Sequence, residues 1–166
     1  MNDRQRRSAE IISSKHYPYK SSKPTTHRNM FVLGLGSNVA MGRKSSIDIL
    51  ESVYLWLLSH SQIHIVQSSP IWRNPPFGFK LQSDFYNALL VCESDLGLIE
   101  IYGLMFYLER RFGRGRKRAF KNAPRTLDID LILFNTLRLR WKHLCVPHRF
   151  YTQRSSVMLP LSFIES

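Results

Sequence analysis

The residues of this chain best suited to metal chemistry are two carboxylates at a spacing of two, Asp128 and Asp130. They lie within residues 127–134, a segment rich in Leu and Ile whose partial alternation predicts a buried β-strand. Because successive side chains point to opposite faces of a strand, both carboxylates are predicted on the same face. The two predicted faces are Leu127, Ile129, Leu131 and Leu133 on one side and Asp128, Asp130, Ile132 and Phe134 on the other.

Two adjacent anions on an apolar strand need a cationic partner, since burying unpaired charge is very costly. A hard divalent ion, Mg²⁺ or Mn²⁺, suits a ligand set made only of oxygens. The alternative is an edge strand on which the Asp pair faces solvent. The Pro-Arg-Thr entrance at residues 124–126 and the apolar residues on both sides favour the metal site.

A strongly cationic segment comes directly before this strand. Residues 113–121 carry five Arg or Lys side chains, two glycines and no apolar periodicity, which predicts a mobile loop. A cationic loop beside paired carboxylates suits a bound polyphosphate, because Mg²⁺ bridges phosphate and carboxylate oxygens while arginines neutralise the remaining charge. No Gly-x-x-x-x-Gly-Lys-Ser/Thr sequence occurs, so the chain is not a P-loop NTPase.

Composition predicts one folded domain with an anionic partner. The chain has 166 residues, 43% hydrophobic content, a formal charge of +12 and a pI of about 10.2. Nucleic acid, an acidic membrane and a polyphosphate nucleotide all fit this charge, which cannot choose among them. Cys92 and Cys145 have no Cys-x-x-Cys spacing and are predicted to be buried reduced thiols, which suits a cytoplasmic chain. No apolar run approaches the length of a membrane span.

Residues 1–29 differ from the rest, since they are basic, rich in serine and almost without apolar periodicity. They are predicted to be a flexible basic extension that the domain at residues 30–166 does not need. A solvated tail, a mis-assigned start codon, a nucleic-acid arm and an organelle transit peptide all remain open as interpretations. A secretory signal is not favoured, because no apolar stretch follows the charges.

Strands and helices are expected to alternate along residues 30–164. Gly34 and Gly36 lack a third glycine at Val39, so a dinucleotide-binding fingerprint fails and a tight turn at residues 36–38 is predicted instead. The predicted elements are strands at 30–35, 62–69, 84–92 and 137–146, helices from Ser45 or Ser46 to Leu58 and at 98–112, a loop at 72–80, and a helix start at Arg154. The first helix is predicted to bury Ile47, Leu50, Val53, Tyr54, Leu57 and Leu58.

Six short motifs occur in an order that resembles the 6-hydroxymethyl-7,8-dihydropterin pyrophosphokinase family of the folate pathway. They are Leu-Gly-Ser-Asn at 35–38, Asn-Pro-Pro-Phe-Gly at 74–78, Asp-Phe-Tyr-Asn-Ala at 84–88, Glu109 before Gly113-Arg114, Pro-Arg-Thr-Leu-Asp-Ile-Asp at 124–130, and Val-Pro-His at 146–148. The resemblance covers about residues 30–164. It implies an α+β, ferredoxin-like sandwich with a mostly antiparallel sheet, which agrees with the order of elements above.

The resemblance also implies an activity and a set of site residues. Enzymes of this family move the β,γ-diphosphate of ATP to the hydroxymethyl oxygen of the pterin and release AMP, with two Mg²⁺ ions as cofactors. By position, the implied catalytic residues are Arg114, Arg125, Asp128 and Asp130, and the two Asp are also the metal ligands. The implied ATP-binding residues are Glu109, Arg114, Arg116, Arg125, Ile129, His148 and Arg154. The implied pterin-binding residues are Asn74, Pro75, Phe77, Phe85 and Asn87.

Two positions differ from the family pattern. An aromatic residue that often closes the pterin sandwich aligns with Ser156, where Val157 is a partial replacement, and Phe120 is the substitute for a Trp common in the mobile loop. The resemblance implies a cytoplasmic monomer that binds ATP and the pterin and neither membrane nor nucleic acid. An RNA-binding module is the rival interpretation of a basic ferredoxin-like sheet, but its aromatic strand motif is absent and paired carboxylates would repel RNA.

Overall fold

The computed structural model describes residues 10–24, 26–75, 83–113 and 126–164. Nine strands and three helices occur in this part of the chain. The strands are β1 (Glu10–Ile12), β2 (Tyr19–Lys20), β3 (Asn29–Ser37), β4 (Ile63–Ser68), β5 (Ile71–Asn74), β6 (Phe85–Ser94), β7 (Asp128–Phe134), β8 (Leu139–Trp141) and β9 (Leu144–Val146). The helices are α1 (Ser46–Ser59), α2 (Leu98–Arg111) and α3 (Ser155–Leu161).

The first seven strands form one antiparallel sheet, which confirms the predicted α+β, ferredoxin-like class. β3 pairs with β6 on one side and with β7 on the other, while β4 and β5 pair with successive halves of β6. Strands β4/β5, β6, β3 and β7 therefore lie side by side, and the two connecting helices α1 and α2 follow β3 and β6 in the chain. This is the order expected for a βαββαβ unit.

Helices α1 and α2 bury their apolar stripes against one face of the sheet. Ser45 begins α1 with a capping box, in which its side chain accepts from Asp48 N–H and the Asp48 carboxylate accepts from Ser45 N–H. The predicted inward face of α1 is correct at Leu50, Val53, Tyr54 and Leu57. It is wrong at Leu58, which is 57% exposed, because Ile49 lies on the inward stripe in its place.

The N-terminal segment is part of the sheet, so the predicted flexible extension does not describe residues 10–24. β1 pairs with β5 and β2 pairs with β4, both antiparallel. Between them, Tyr17 is 0% exposed in the main core, and its hydroxyl donates to the Leu50 carbonyl at 2.7 Å. Burial raises the pKa of Tyr17 well above its ordinary value. Residues 1–9 lie outside the described part of the chain.

The Glu51 carboxylate on α1 binds this N-terminal segment through hydrogen bonds. It accepts hydrogen bonds from the Ser14 hydroxyl and the His16 N–H, and its second oxygen lies 2.6 Å from His16 Nδ1. Burial alone would raise the pKa of Glu51, but the bonds from Ser14 and His16 outweigh it and lower the pKa. The sequence pattern gave no sign of this, because the binding groups are scattered polar residues without periodicity.

Strand β7 confirms the strand predicted at residues 127–134 but corrects the faces assigned to its last two residues. A β-bulge shifts the register between β3 and β7, so that Val32 pairs with Leu133 and Leu33 with Leu131. Beyond the bulge the faces exchange: Phe134 joins the core under the helices, while Leu133 packs with Ile132 on the opposite face. A period of two cannot anticipate an inserted residue, so the predicted positions of Leu133 and Phe134 are wrong.

Three other local predictions need correction. The predicted strand at 137–146 is a two-stranded hairpin, because residues between Trp141 and Leu144 turn, with Lys142 at φ 51°. Trp72, Arg73 and Asn74 belong to β5 and not to a loop. Gly36 and Ser37 continue β3 and do not form the predicted tight turn. The helix start at Arg154 is confirmed, since Arg154 caps α3.

Both cysteines are free thiols in the structure. Cys92 is buried in the main core, and burial raises its pKa, whereas Cys145 is only half-buried. In the described part of the chain no helix is both long and apolar enough to cross a membrane.

Candidate active site

The candidate site is built on one row of residues that crosses three neighbouring strands. Asp128 on β7 pairs with Gly36 on β3, and Gly36 pairs with Asn87 on β6. Asp130 has Gly34 as its partner on β3. A Cβ at Gly36 would lie 3.0 Å from Asn87 Oδ1, so the glycine lets the Asn87 amide lie close over the strand. A Cβ at Gly34 would lie 3.1 Å from Ile132 Cδ1, so each glycine gives room to a neighbouring side chain, Asn87 at Gly36 and Ile132 at Gly34.

Strand β7 lies at the edge of the sheet, and two side elements satisfy its outer backbone groups. The Glu109 carboxylate on α2, only 4% exposed, accepts from Ile129 N–H at 3.0 Å. The His148 N–H donates to the Ile132 carbonyl at 2.8 Å. These bonds fix α2 and the segment after β9 against the strand that carries both Asp residues.

Asp130 lies between two basic side chains. His148 Nε2 is 3.7 Å from Asp130 Oδ1, and Arg154 Nη1 is 3.7 Å from Asp130 Oδ2. Both separations are longer than a direct hydrogen bond, so the Arg154 guanidinium contributes mainly positive potential around the carboxylate, with the His148 imidazole on the other side. The arrangement places anionic and cationic groups together, as a phosphate bound with a metal ion requires.

Two cavities meet at the Asp pair. The larger, about 620 Å³, and the smaller, about 420 Å³, share Asp128, Asp130 and Arg154 as lining residues. Each volume lies in the range of ordinary ligand-binding sites. The carboxylates thus stand on a wall common to two separate binding spaces, where two different molecules would meet.

The larger cavity contains the residues predicted to bind ATP. Glu109, Ile129, His148 and Arg154 all line it. Its remaining described lining combines apolar and acidic residues with basic or aromatic ones from α2, the hairpin β8–β9 and the segment after it, among them Tyr102, Phe106, Arg140, Trp141, Lys142 and Arg149. Sequence reasoning did not assign these residues, because the fold of the hairpin was needed to bring them beside β7.

The smaller cavity contains three of the residues predicted to bind the pterin, whereas Pro75 is exposed and lines neither cavity. Asn74, Phe85 and Asn87 line it, together with the glycines of β3. The Asn87 amide donates to Asn74 Oδ1 at 2.6 Å, and the Asn74 amide donates to the Pro75 carbonyl at 3.0 Å. These bonds set the orientation of both amides, which a ligand with a mixed donor and acceptor edge requires.

The far side of the smaller cavity comes from the start of α3. Ser155, Ser156 and Val157 line it there. Val157 is buried against Leu89, Val91 and Ile132, so it contributes apolar surface below the cavity. The position where the family often has an aromatic residue therefore carries a small hydroxyl side chain, with an apolar neighbour in place of a ring.

Some predicted residues fall outside the described part of the chain. They are Phe77, Arg114, Arg116 and Arg125, together with Phe120 and the predicted mobile loop. Sequence reasoning missed the role of Gly34 and Gly36. Their spacing of two inside a strand was a usable signal, because glycine in a strand interior often marks the close approach of another group.

The donor set at the junction fits a hard divalent ion. Both Asp128 and Asp130 are half-buried and line both cavities, and their ligand atoms are all oxygens. Within the described ranges, no three His, Cys, Asp or Glu side chains form a metal-binding group. An ion held by only two carboxylates takes its other ligands from water and phosphate, which is how Mg²⁺ is usually bound.

Comparison with known proteins agrees with this geometry. Residues 32–166 match the family model described as 7,8-dihydro-6-hydroxymethylpterin-pyrophosphokinase. The chain is 46% identical to 2-amino-4-hydroxy-6-hydroxymethyldihydropteridine pyrophosphokinase of Helicobacter pylori, over 92% of this chain and 91% of that protein. The enzyme of the same name from Campylobacter jejuni is 37% identical, over 91% and 92%. That from Methylorubrum extorquens is 33% identical, over 80% of each chain.

The match to the Helicobacter enzyme spans 153 residues and must include part of residues 1–29, because only 137 residues lie from 30 to 166. The family model begins at residue 32 and does not cover the N-terminal strands.

The ferredoxin-like α+β fold and the paired carboxylates between two cavities agree with the class of phosphoryl-transfer enzymes. The chain belongs to the 7,8-dihydro-6-hydroxymethylpterin-pyrophosphokinase family. It is an ATP-dependent diphosphokinase that transfers a pyrophosphoryl group onto hydroxymethyldihydropterin in folate biosynthesis.

Proposed function

We propose that the transfer takes place at the wall between the two cavities, with ATP in the larger and the pterin in the smaller. The observation that carries this proposal is that Asp128 and Asp130 line both spaces. Glu109, Ile129, His148 and Arg154 then bind or position ATP, and Asn74, Phe85 and Asn87 bind the pterin. Arg114, Arg116, Arg125, Pro75 and Phe77 complete the proposed set on the strength of the sequence motifs.

The Asp pair is proposed to hold two Mg²⁺ ions. Asp128 and Asp130 would hold the ions through their carboxylate oxygens, and the bound Mg²⁺ would supply positive charge to neutralise the phosphates. The chain's own residues bind and orient the reactants. Asn87 and Asn74 fix the pterin edge, while Arg154 places positive charge and His148 an imidazole beside the phosphates. Such a reaction depends on in-line approach and charge stabilisation more than on covalent catalysis.

The products expected are AMP and the pterin diphosphate. The test is release of AMP from ATP and Mg²⁺, measured with and without 6-hydroxymethyl-7,8-dihydropterin. AMP release that depends on the pterin supports the proposal. Release of ADP in place of AMP contradicts it, and so does AMP release that is the same without the pterin.

The metal role is tested by Asp128→Asn and Asp130→Asn, which keep the shape of each side chain and remove its charge. Each is expected to lower kcat by at least about a hundredfold, because charge stabilisation in the transition state is lost. Asp95→Asn is the matched control, since Asp95 is exposed and lines neither cavity. Full activity in either Asp128→Asn or Asp130→Asn would contradict the proposed metal role.

We also propose that the enzyme works as a cytoplasmic monomer, without a membrane or nucleic-acid partner. The positive charge of the chain is then explained by its triphosphate substrate.

A further inference from the structure

The lining of the larger cavity includes charged side chains, which suit a phosphate bound with a metal ion, and aromatic side chains, which do not. Arg140, Lys142, Arg149 and Arg154 are its described basic residues of fixed charge, and Asp128 and Asp130 lie among them. The other part is aromatic: Tyr102 and Phe106 come from successive turns of α2, and their rings meet edge-on with centroids 4.8 Å apart. Trp141 lines the same cavity from the end of β8. A triphosphate alone would make no use of this aromatic surface.

Trp141 is the most exposed of these three aromatic residues, at 52%. It pairs with Leu144 across the hairpin, and the turn that follows holds Lys142 at φ 51°. The Lys142 ammonium lies over the indole, 5.1 Å from the ring centroid. A cation–π contact of this kind can stabilise a turn, but it does not require the indole to line a ligand cavity.

We propose that Trp141 stacks on the base of the nucleoside triphosphate and supplies the part of the nucleotide affinity that requires a base to be present. The inference rests on the proposed placement of ATP in the larger cavity. An indole offers a broad π-surface to a purine, and stacking of this kind is insensitive to the hydrogen-bonding edge of the base. The basic residues act on the phosphates, so the two parts of the nucleotide are bound by separate side chains.

This division makes a base-free ligand the decisive probe. Binding would be measured by titration calorimetry with α,β-methylene ATP, which cannot be cleaved at the reacting bond, and with inorganic tripolyphosphate, both with Mg²⁺. The proteins are the full-length chain, Trp141→Ala, Trp141→Phe and Phe163→Ala. Phe163 is a matched control, because it is an aromatic residue with 44% exposure that lines neither cavity.

Trp141→Ala is expected to weaken the nucleotide analogue about tenfold, the usual cost of removing one stacking partner, and to leave tripolyphosphate affinity unchanged. Trp141→Phe should retain most of the affinity, and Phe163→Ala all of it. Unchanged nucleotide affinity in Trp141→Ala would overturn the inference. So would an equal loss for both ligands, which would mean that the substitution disturbs the phosphate site.

Failure of this inference can be separated from failure of the proposed function. If the unaltered enzyme forms AMP with the pterin but Trp141→Ala binds the analogue normally, only the stacking role is wrong. If the unaltered enzyme binds neither ligand, the placement of ATP in the larger cavity and the stacking role both fall.

Discussion

Replacing Tyr17 tests whether the N-terminal segment belongs to the folded domain. Its ring is fully buried among the side chains under α1 and meets the Tyr54 ring edge-on, with centroids 5.8 Å apart. Its hydroxyl donates to the Leu50 carbonyl. A flexible extension would give this residue no effect on stability, whereas the structure makes it one of the largest fully buried side chains.

The expected cost follows from these contacts. Tyr17→Ala should lower the free energy of unfolding by roughly 3–5 kcal/mol, the range for removing a buried aromatic ring. Tyr17→Phe should cost about 1 kcal/mol, because only the hydrogen bond to Leu50 is lost. The larger loss is a substantial fraction of the roughly 5–15 kcal/mol that holds a typical domain together.

Urea unfolding followed by circular dichroism measures both changes as shifts of the midpoint at a constant slope. Tyr19→Ala is the matched control, since Tyr19 has the same side chain two positions along but is 43% exposed. Its loss should be well below that of Tyr17→Ala. Equal midpoints for Tyr17→Ala and the unaltered chain would refute the docking of residues 10–24.

Two further substitutions test the contact of Glu51 with the N-terminal segment and the proposed pterin site. Since the folded-state pKa of Glu51 is lowered, its stabilising effect is present above its unfolded pKa and is lost as pH falls through the folded value. In urea titrations, Glu51→Gln should therefore cost roughly 0.5–1 kcal/mol at pH 7 and almost nothing once the pH is below the lowered folded-state pKa of Glu51; a constant difference would contradict this. Asn87→Ala should raise the KM for the pterin about tenfold, because a polar edge loses its partner, and leave the KM for ATP unchanged. Steady-state kinetics with each substrate varied decide this, and a parallel rise in both values would count against separate cavities.

The sequence by itself determined the elements whose signals are local. The Asp128–Asp130 strand, both long helices and a cap at Ser45 or Ser46, which the structure places at Ser45, follow from periodicity and capping chemistry, which act over a few residues. The motifs also predicted site residues that line the two cavities, Glu109, Ile129 and His148 in the larger, Asn74, Phe85 and Asn87 in the smaller, and Arg154 in both.

Only the tertiary structure decided how distant segments meet. Residues 14–17 dock on α1, more than thirty residues later, through the buried Tyr17 ring and the bonds of Ser14 and His16 to the Glu51 carboxylate, and neither contact leaves a periodic trace in the sequence. The bulge that exchanges Leu133 and Phe134 depends on pairing with β3, and the role of Gly36 depends on Asn87 lying opposite it. Trp141 reaches the larger cavity because residues 139–146 fold back as a hairpin. Pairing, packing and cavity shape are properties of several strands at once, so no single stretch of sequence contains them.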